Sequence, residues 1–164
     1  MVCTLIFTAS YRQMLCIDGS FNCCSGYAQL RRELKESLTS DWFVPFNGYK
    51  YKVTSGTHSW TDARHECRKM GADLATAGAR SSETLKAIWN KYSIARASWV
   101  GLNDINKEHK YVWVDGRQGV NIPWAPNEPN QAGGNEDCVN LWAHARLNDG
   151  ECSEKFRGLC EKKI

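Results

Sequence analysis

The apolar and polar positions divide the chain into two unlike parts. From Asp41 onward, short apolar runs alternate with polar turns, and two stretches place apolar residues at helical spacing. In the first, 57–70, Trp60, Ala63, Cys67 and Met70 recur at three- and four-residue steps, with Ser59 or Thr61 as the cap and Gly71 as the stop. In the second, Ser81-Ser82-Glu83 caps a helix whose inner face is Leu85, Ile88, Trp89 and Tyr92. The remainder predicts strands. Residues 42–53 read as two short strands about an Asn47-Gly48 turn, 72–75 as a short strand, 98–102 as a buried one, and 111–116 as a strand ending in a turn. Residues 138–142 and 158–161 read as strands on either side of an Asn148-Asp149 loop. Two amphipathic helices followed by many short strands predict an α+β domain over 41–164.

Residues 1–40 follow a different pattern. The apolar start, Met1 to Ala9, has no basic residue and is soon interrupted by Tyr11, Arg12 and Gln13, which falls short of a secretory signal. No stretch approaches the length of a membrane-spanning helix, so no membrane insertion is expected. Tyr27, Leu30, Leu34 and Leu38 recur at helical steps among charged residues and predict an amphipathic helix. Two heptads are too few for a stable coiled coil. That favours a helix lying on its own domain over an oligomerising neck. The segment 1–40 is therefore read as a leader or neck.

Composition narrows the setting. The net charge of +3 is small and mixed in sign, which gives no reason to expect a nucleic-acid partner. Eight cysteines in 164 residues point to an oxidising, extracellular compartment. A zinc site would want paired C-x-x-C spacings, and only Cys23 and Cys24 are close. His58, His65, His109 and His144 are scattered and read as surface or packing residues. No Ser-His-Asp or Cys-His constellation presents itself, so no enzyme is expected.

The candidate chemistry lies between Asn127 and Asp149. Asn127-Glu128-Pro129-Asn130 is followed by Glu136-Asp137-Cys138, and ten residues past the cysteine by Asn148-Asp149. Glu128, Asn130, Glu136, Asn148 and Asp149 offer carboxylate and amide oxygens only. Hard cations such as calcium take about six to eight oxygen ligands, so this set favours calcium over zinc or copper. A carboxylate only accepts hydrogen bonds while an amide also donates. Side by side they can hold a metal and still reach hydroxyl groups of one ligand.

These motifs resemble the sugar-binding loop of the C-type lectin family. Ser98-Trp99-Val100-Gly101-Leu102 is similar to the family's Trp-Ile-Gly-Leu signature, and the resemblance covers Trp42 to Ile164, about three quarters of the chain. The hairpin disulfide of long-form members has no counterpart, because Lys50 stands at its second position; this implies the short form. The resemblance implies two helices on small antiparallel sheets with a long calcium-binding loop, bridges Cys67–Cys160 and Cys138–Cys152, and a cis bond before Pro129. It implies that Glu128, Asn130, Glu136, Asn148 and Asp149 hold one calcium, which two adjacent sugar hydroxyls complete, and that the same five residues contact the sugar. Glu-Pro-Asn implies mannose, fucose, N-acetylglucosamine or glucose. The galactose type exchanges acid and amide and usually adds an aromatic platform, which 130–138 lacks. Leu147 replaces the family's usual Trp, which implies a looser shelf under the loop. An auxiliary calcium would use Asp104, Glu108, Glu136 and Asp137, with Gln131 a poor substitute for the usual Asp or Asn. A single shallow site binds weakly, so avidity implies a homo-oligomer. The implied function is calcium-dependent recognition of mannose-type glycans on microbial or self surfaces by a secreted protein. The alternative is a protein-binding or toxin-like module that keeps the fold without sugar.

Overall fold

The computed structural model describes residues 21–93 and 97–164. Cys3 and Cys16 lie outside these residues, as do the side chains of Cys23 and Cys24, so the pairing of all four falls outside the description. Helix α1 spans Phe21–Thr39. Strand β1, Tyr49–Val53, follows, then helix α2, Trp60–Lys69, and strand β2, Asp73–Leu74. A 3₁₀ turn at Gly78–Arg80 leads into helix α3, Ser82–Tyr92. Strands β3 (Ser98–Asn103), β4 (Val112–Trp113), β5 (Cys138–Trp142), β6 (Arg146–Gly150) and β7 (Arg157–Lys163) complete the chain.

Both helices of the domain begin as their sequences dictate. The Ser59 hydroxyl accepts the Asp62 N–H, and the Ser81 hydroxyl accepts the Thr84 N–H. Each satisfies a donor that the first helical turn leaves without a partner. Trp60, Ala63 and Cys67 turn inward on α2, as do Leu85 and Ile88 on α3.

The strands join in one sheet of order β1-β7-β3-β5-β6, with β2 on β7 and β4 on β3. All pairings are antiparallel except β3 with β7, which run parallel. That contact makes the sheet mixed and joins the small antiparallel ladders into one surface. The domain is α+β, with two strand expectations changed. Before the Asn47-Gly48 turn there is a single bridge, Phe43 to Tyr51, in place of a full strand. Asn148 and Asp149 lie within β6, paired to Asn140 and Val139 of β5, where a loop was expected.

Two clusters fill the interior. Tyr51, Leu85, Ile88, Val100, Leu102, Trp113, Val139, Leu141 and Leu147 are among the first; Trp60, Cys67, Leu74, Trp99, Cys138 and Cys160 are in the second. Gly101 lies where β3 meets its neighbours. A Cβ there would come within 2.7 Å of Val114 Cγ2 and 2.8 Å of the Leu74 carbonyl, so only glycine fits. The bridge Cys67–Cys160 ties α2 to β7, and Cys138–Cys152 joins β5 to the segment after β6. Closing 93 and 14 residues respectively, they contribute about 4–5 and about 3 kcal/mol in the chain-entropy model.

Helix α1 does lie on its own domain, but through the other face. Glu33 is buried, receiving a hydrogen bond from Gln29, and Glu36 pairs with Lys50 of β1. Leu30, Leu34 and Leu38 face outward at 53%, 43% and 77% exposure. The apolar periodicity located the helix, and the contact with β1 is the polar pair Glu36 to Lys50. Among the described residues no helix is long and apolar enough to cross a membrane.

Candidate sugar and metal site

The site is built where the 127–136 loop meets strand β6. The Glu128-Pro129 peptide is cis, as the resemblance implied. Asp149, fully buried in β6, accepts the Asn130 N–H on Oδ1 at 3.2 Å and the Gln131 N–H on Oδ2 at 3.0 Å. The Ala132 N–H is shared between Asn130 Oδ1 at 2.8 Å and Glu136 Oε2 at 2.7 Å. Asn130, Glu136 and Asp149 are thereby gathered around one stretch of backbone. Glu128 stands beside Asp149 and Asn130 and feels the charge of Glu136. Asn148 is half-buried on β6 and donates to the Asp149 carbonyl.

Three carboxyl groups crowd together with little to neutralise them. Among the described residues no basic side chain pairs with Glu128, Glu136 or Asp149. Burial pushes the Glu128 carboxyl above the ordinary range, and the neighbouring carboxylates of Asp149 and Glu136 add to this. Burial also raises Glu136, opposed by the Ala132 N–H and helped by Asp149 and Glu154. Glu128 Oε2 is buried with no hydrogen-bond partner. An all-oxygen set with an orphaned carboxylate oxygen and an excess of negative charge fits a hard divalent cation.

Gln131 was expected only as a poor auxiliary ligand. Its side chain instead closes the loop: Oε1 accepts the Glu136 N–H at 3.2 Å, while Nε2 donates to the Glu136 carbonyl at 3.2 Å and to the Tyr111 hydroxyl at 3.3 Å. An amide offers both an acceptor and donors, and a five-residue return to Glu136 was the available signal. Leu147 is fully buried and its backbone bonds to Pro123 and Ala125. Leu147 is bridged to Trp124, which packs against the core beside it.

The auxiliary set assembles differently from expectation. A carboxylate oxygen of Asp104, one of Glu108 and a ring nitrogen of His109 lie within 4.8 Å of one another; Glu136 and Asp137 stand outside this group. Asp137 meets Asp104 through its backbone carbonyl, 3.0 Å from the Asp104 nitrogen.

The family model for the lectin C-type domain matches residues 56–162. The chain belongs to the C-type lectin domain family. Among similar proteins, C-type lectin BML-2 of Bungarus multicinctus is 35% identical over 130 residues, 75% of this chain and 82% of that one. A C-type lectin described as a mannose-binding isoform, from Notechis scutatus scutatus, is 34% identical over 76% of this chain and 82% of its own length. The carbohydrate-recognition domain of cow CD23, solved in the presence of a GlcNAc2Man3 oligosaccharide, superposes with a TM-score of 0.66 at 30% identity, covering 75% of this chain and 93% of that domain. As a C-type lectin domain, the chain carries its Glu-Pro-Asn loop and both domain disulfides within the matched span.

Proposed function

We propose that this domain binds mannose-type glycans in a calcium-dependent manner, with Glu128, Asn130, Glu136, Asn148 and Asp149 as the metal ligands and as the sugar contacts. The observation that carries this reading is the uncompensated cluster of Glu128, Glu136 and Asp149, with Glu128 Oε2 buried and unpartnered. Calcium bound there supplies coordination positions that two adjacent sugar hydroxyls fill. Glu128 and Glu136 accept hydrogen bonds from those hydroxyls, and the amides of Asn130 and Asn148 donate to them. Glu128 and Asn130 flank the cis proline bond, with the acid first and the amide second, the order that the family associates with equatorial hydroxyl pairs: mannose, fucose, N-acetylglucosamine and glucose.

The mannose-binding relative and the oligosaccharide-bearing CD23 structure support the same class of ligand. The disulfides support a secreted, extracellular protein. The outward leucines of α1 support association with a second copy, which would raise avidity for glycans on cell or microbial surfaces. The test is a mannose-agarose column loaded in calcium and eluted with chelator. Retention is expected only with calcium. Retention indifferent to chelator, or none, would overturn the reading in favour of a protein-binding or toxin-like module.

A further inference from the structure

A second surface carries the opposite sign from the sugar loop. Arg64 of α2 grips Asp73 of β2 in two parallel contacts, Nε to Oδ1 at 2.9 Å and Nη2 to Oδ2 at 3.1 Å. Its guanidinium also lies 5.9 Å from the centre of the Trp60 ring. Arg80, the last residue of the 3₁₀ turn, repeats the arrangement with other partners. Its Nη1 is 3.1 Å from Asp115 Oδ2, and its guanidinium lies 5.5 Å from the centre of the Trp113 ring. Each carboxylate then serves a second arginine at longer range. Arg68 reaches Asp73 at 3.4 Å, and Arg117 reaches Asp115 at 3.8 Å. The two halves are joined through Arg64 Nη2, which donates to the carbonyl of Val114, the residue before Asp115. Four guanidinium groups thus share two carboxylates on one continuous surface.

We propose that Arg64, Arg68, Arg80 and Arg117 form a docking surface for a sulfated polysaccharide chain, independent of calcium. The inner arginines, Arg64 and Arg80, are each held by an anion and an indole. The outer ones, Arg68 and Arg117, are 57% and 71% exposed. Two guanidinium groups carry more N–H donors than one carboxylate can accept, so donors and positive charge are left over at both aspartates. The guanidinium fork matches the oxygens of a sulfate group, and a sulfated chain presents such groups at intervals. Asp73 and Asp115 hold the inner arginines in place beforehand, so less side-chain freedom is lost on binding. The domain disulfides support an extracellular setting, which favours sulfated chains over nucleic acid as the polyanion met there.

The experiment is binding of the full chain to immobilised heparin in chelator, at about 0.15 M salt. One variant combines Arg68→Gln with Arg117→Gln, which leaves both inner pairs in place. The control combines Lys86→Gln with Lys91→Gln, exposed lysines of α3 whose loss removes the same charge from another element. The unaltered chain and the lysine control are expected to bind alike. The arginine variant should bind at least about tenfold more weakly, since two charged contacts are lost. Its log–log dependence of affinity on salt should be shallower by about one to two, because each cation that meets a polyanion releases a counterion. Calcium-dependent retention on mannose-agarose should be the same in all three proteins, so failure of this proposal and failure of the sugar reading show separately. Heparin binding that is absent, that the lysine control weakens equally, or that desulfated heparin or poly-glutamate matches, overturns the proposal.

Discussion

The carboxylate of Asp149 holds the backbone of Asn130, with Oδ1 3.2 Å from the Asn130 nitrogen across 19 positions of sequence. Its other oxygen takes the next N–H, that of Gln131. One proposed ligand therefore positions the loop that carries three others. Asp149→Asn would turn an amide NH₂ against one of those N–H donors. We expect a loss of about 1–3 kcal/mol in urea denaturation, the cost of leaving a buried donor unsatisfied. The loss should be present in chelator as well as in calcium, and mannose retention should disappear. Unchanged stability in chelator would show that this contact does not hold the loop.

The order of acid and amide across Pro129 sets which hydroxyls are accepted and which are donated to. Exchanging them, Glu128→Gln with Asn130→Asp, keeps the shape and reverses the hydrogen-bonding roles. Preference is expected to move from mannose toward galactose in competition assays, weakly, because 130–138 has no aromatic residue to stack on the sugar. Undiminished preference for mannose would contradict the hydroxyl-orientation argument.

Acid should release calcium earlier than ordinary glutamates would. Burial, together with Asp149 and other carboxylates nearby, holds Glu128 and Glu136 above the usual range. A raised acid binds protons in the folded, calcium-free protein at a pH where the unfolded chain has lost them. The stability these protons supply is present below the ordinary glutamate range and is lost as pH rises through the raised values. Calcium needs the ionised forms and offsets that loss, so protons and calcium compete. The rise in Tm produced by calcium should be full at neutral pH and shrink as pH falls, starting above the ordinary glutamate range. A calcium-induced rise that stays constant down to strongly acidic pH would exclude these carboxylates as ligands.

Much of the domain was legible because its signals are local. Ser59 and Ser81 announce their helices, and the spacing of Trp60, Ala63 and Cys67 names the buried face. The parallel contact of β3 with β7 was not legible, since nothing local reports which strands meet across about 60 residues of chain. The donor set from Glu128 to Asp149 could be read from residue type and spacing. Its support could not: Gln131 looks like a failed ligand until its amide is seen bonded to both backbone groups of Glu136. His109 was passed over for a similar reason. A scattered histidine is usually inert, and only the turn that brings it to Asp104 and Glu108 gives it partners. In α1 the periodicity locates the helix, yet its ion pair with the domain, Glu36 to Lys50, is one that no hydrophobic pattern reports.

Gln131 gives the sharpest test of how the loop is held. Its backbone is left-handed at φ 49°, so alanine there would add strain to the loss of the side chain. Gln131→Asn avoids this: asparagine accepts the same backbone conformation but is one methylene shorter and cannot span to both the Glu136 N–H and carbonyl. The loop between Asn130 and Glu136 would then be closed by the shared Ala132 N–H and by the Gly134 N–H to the Gln131 carbonyl. Net loss of one such hydrogen bond is about 1 kcal/mol. Calcium must repay it when it orders the loop, so its apparent affinity should fall by about fivefold. A calcium titration followed by tryptophan fluorescence reads this directly. Calcium affinity equal to that of the unaltered chain would mean that Asp149 alone organises the site and that the Gln131 amide is incidental to it.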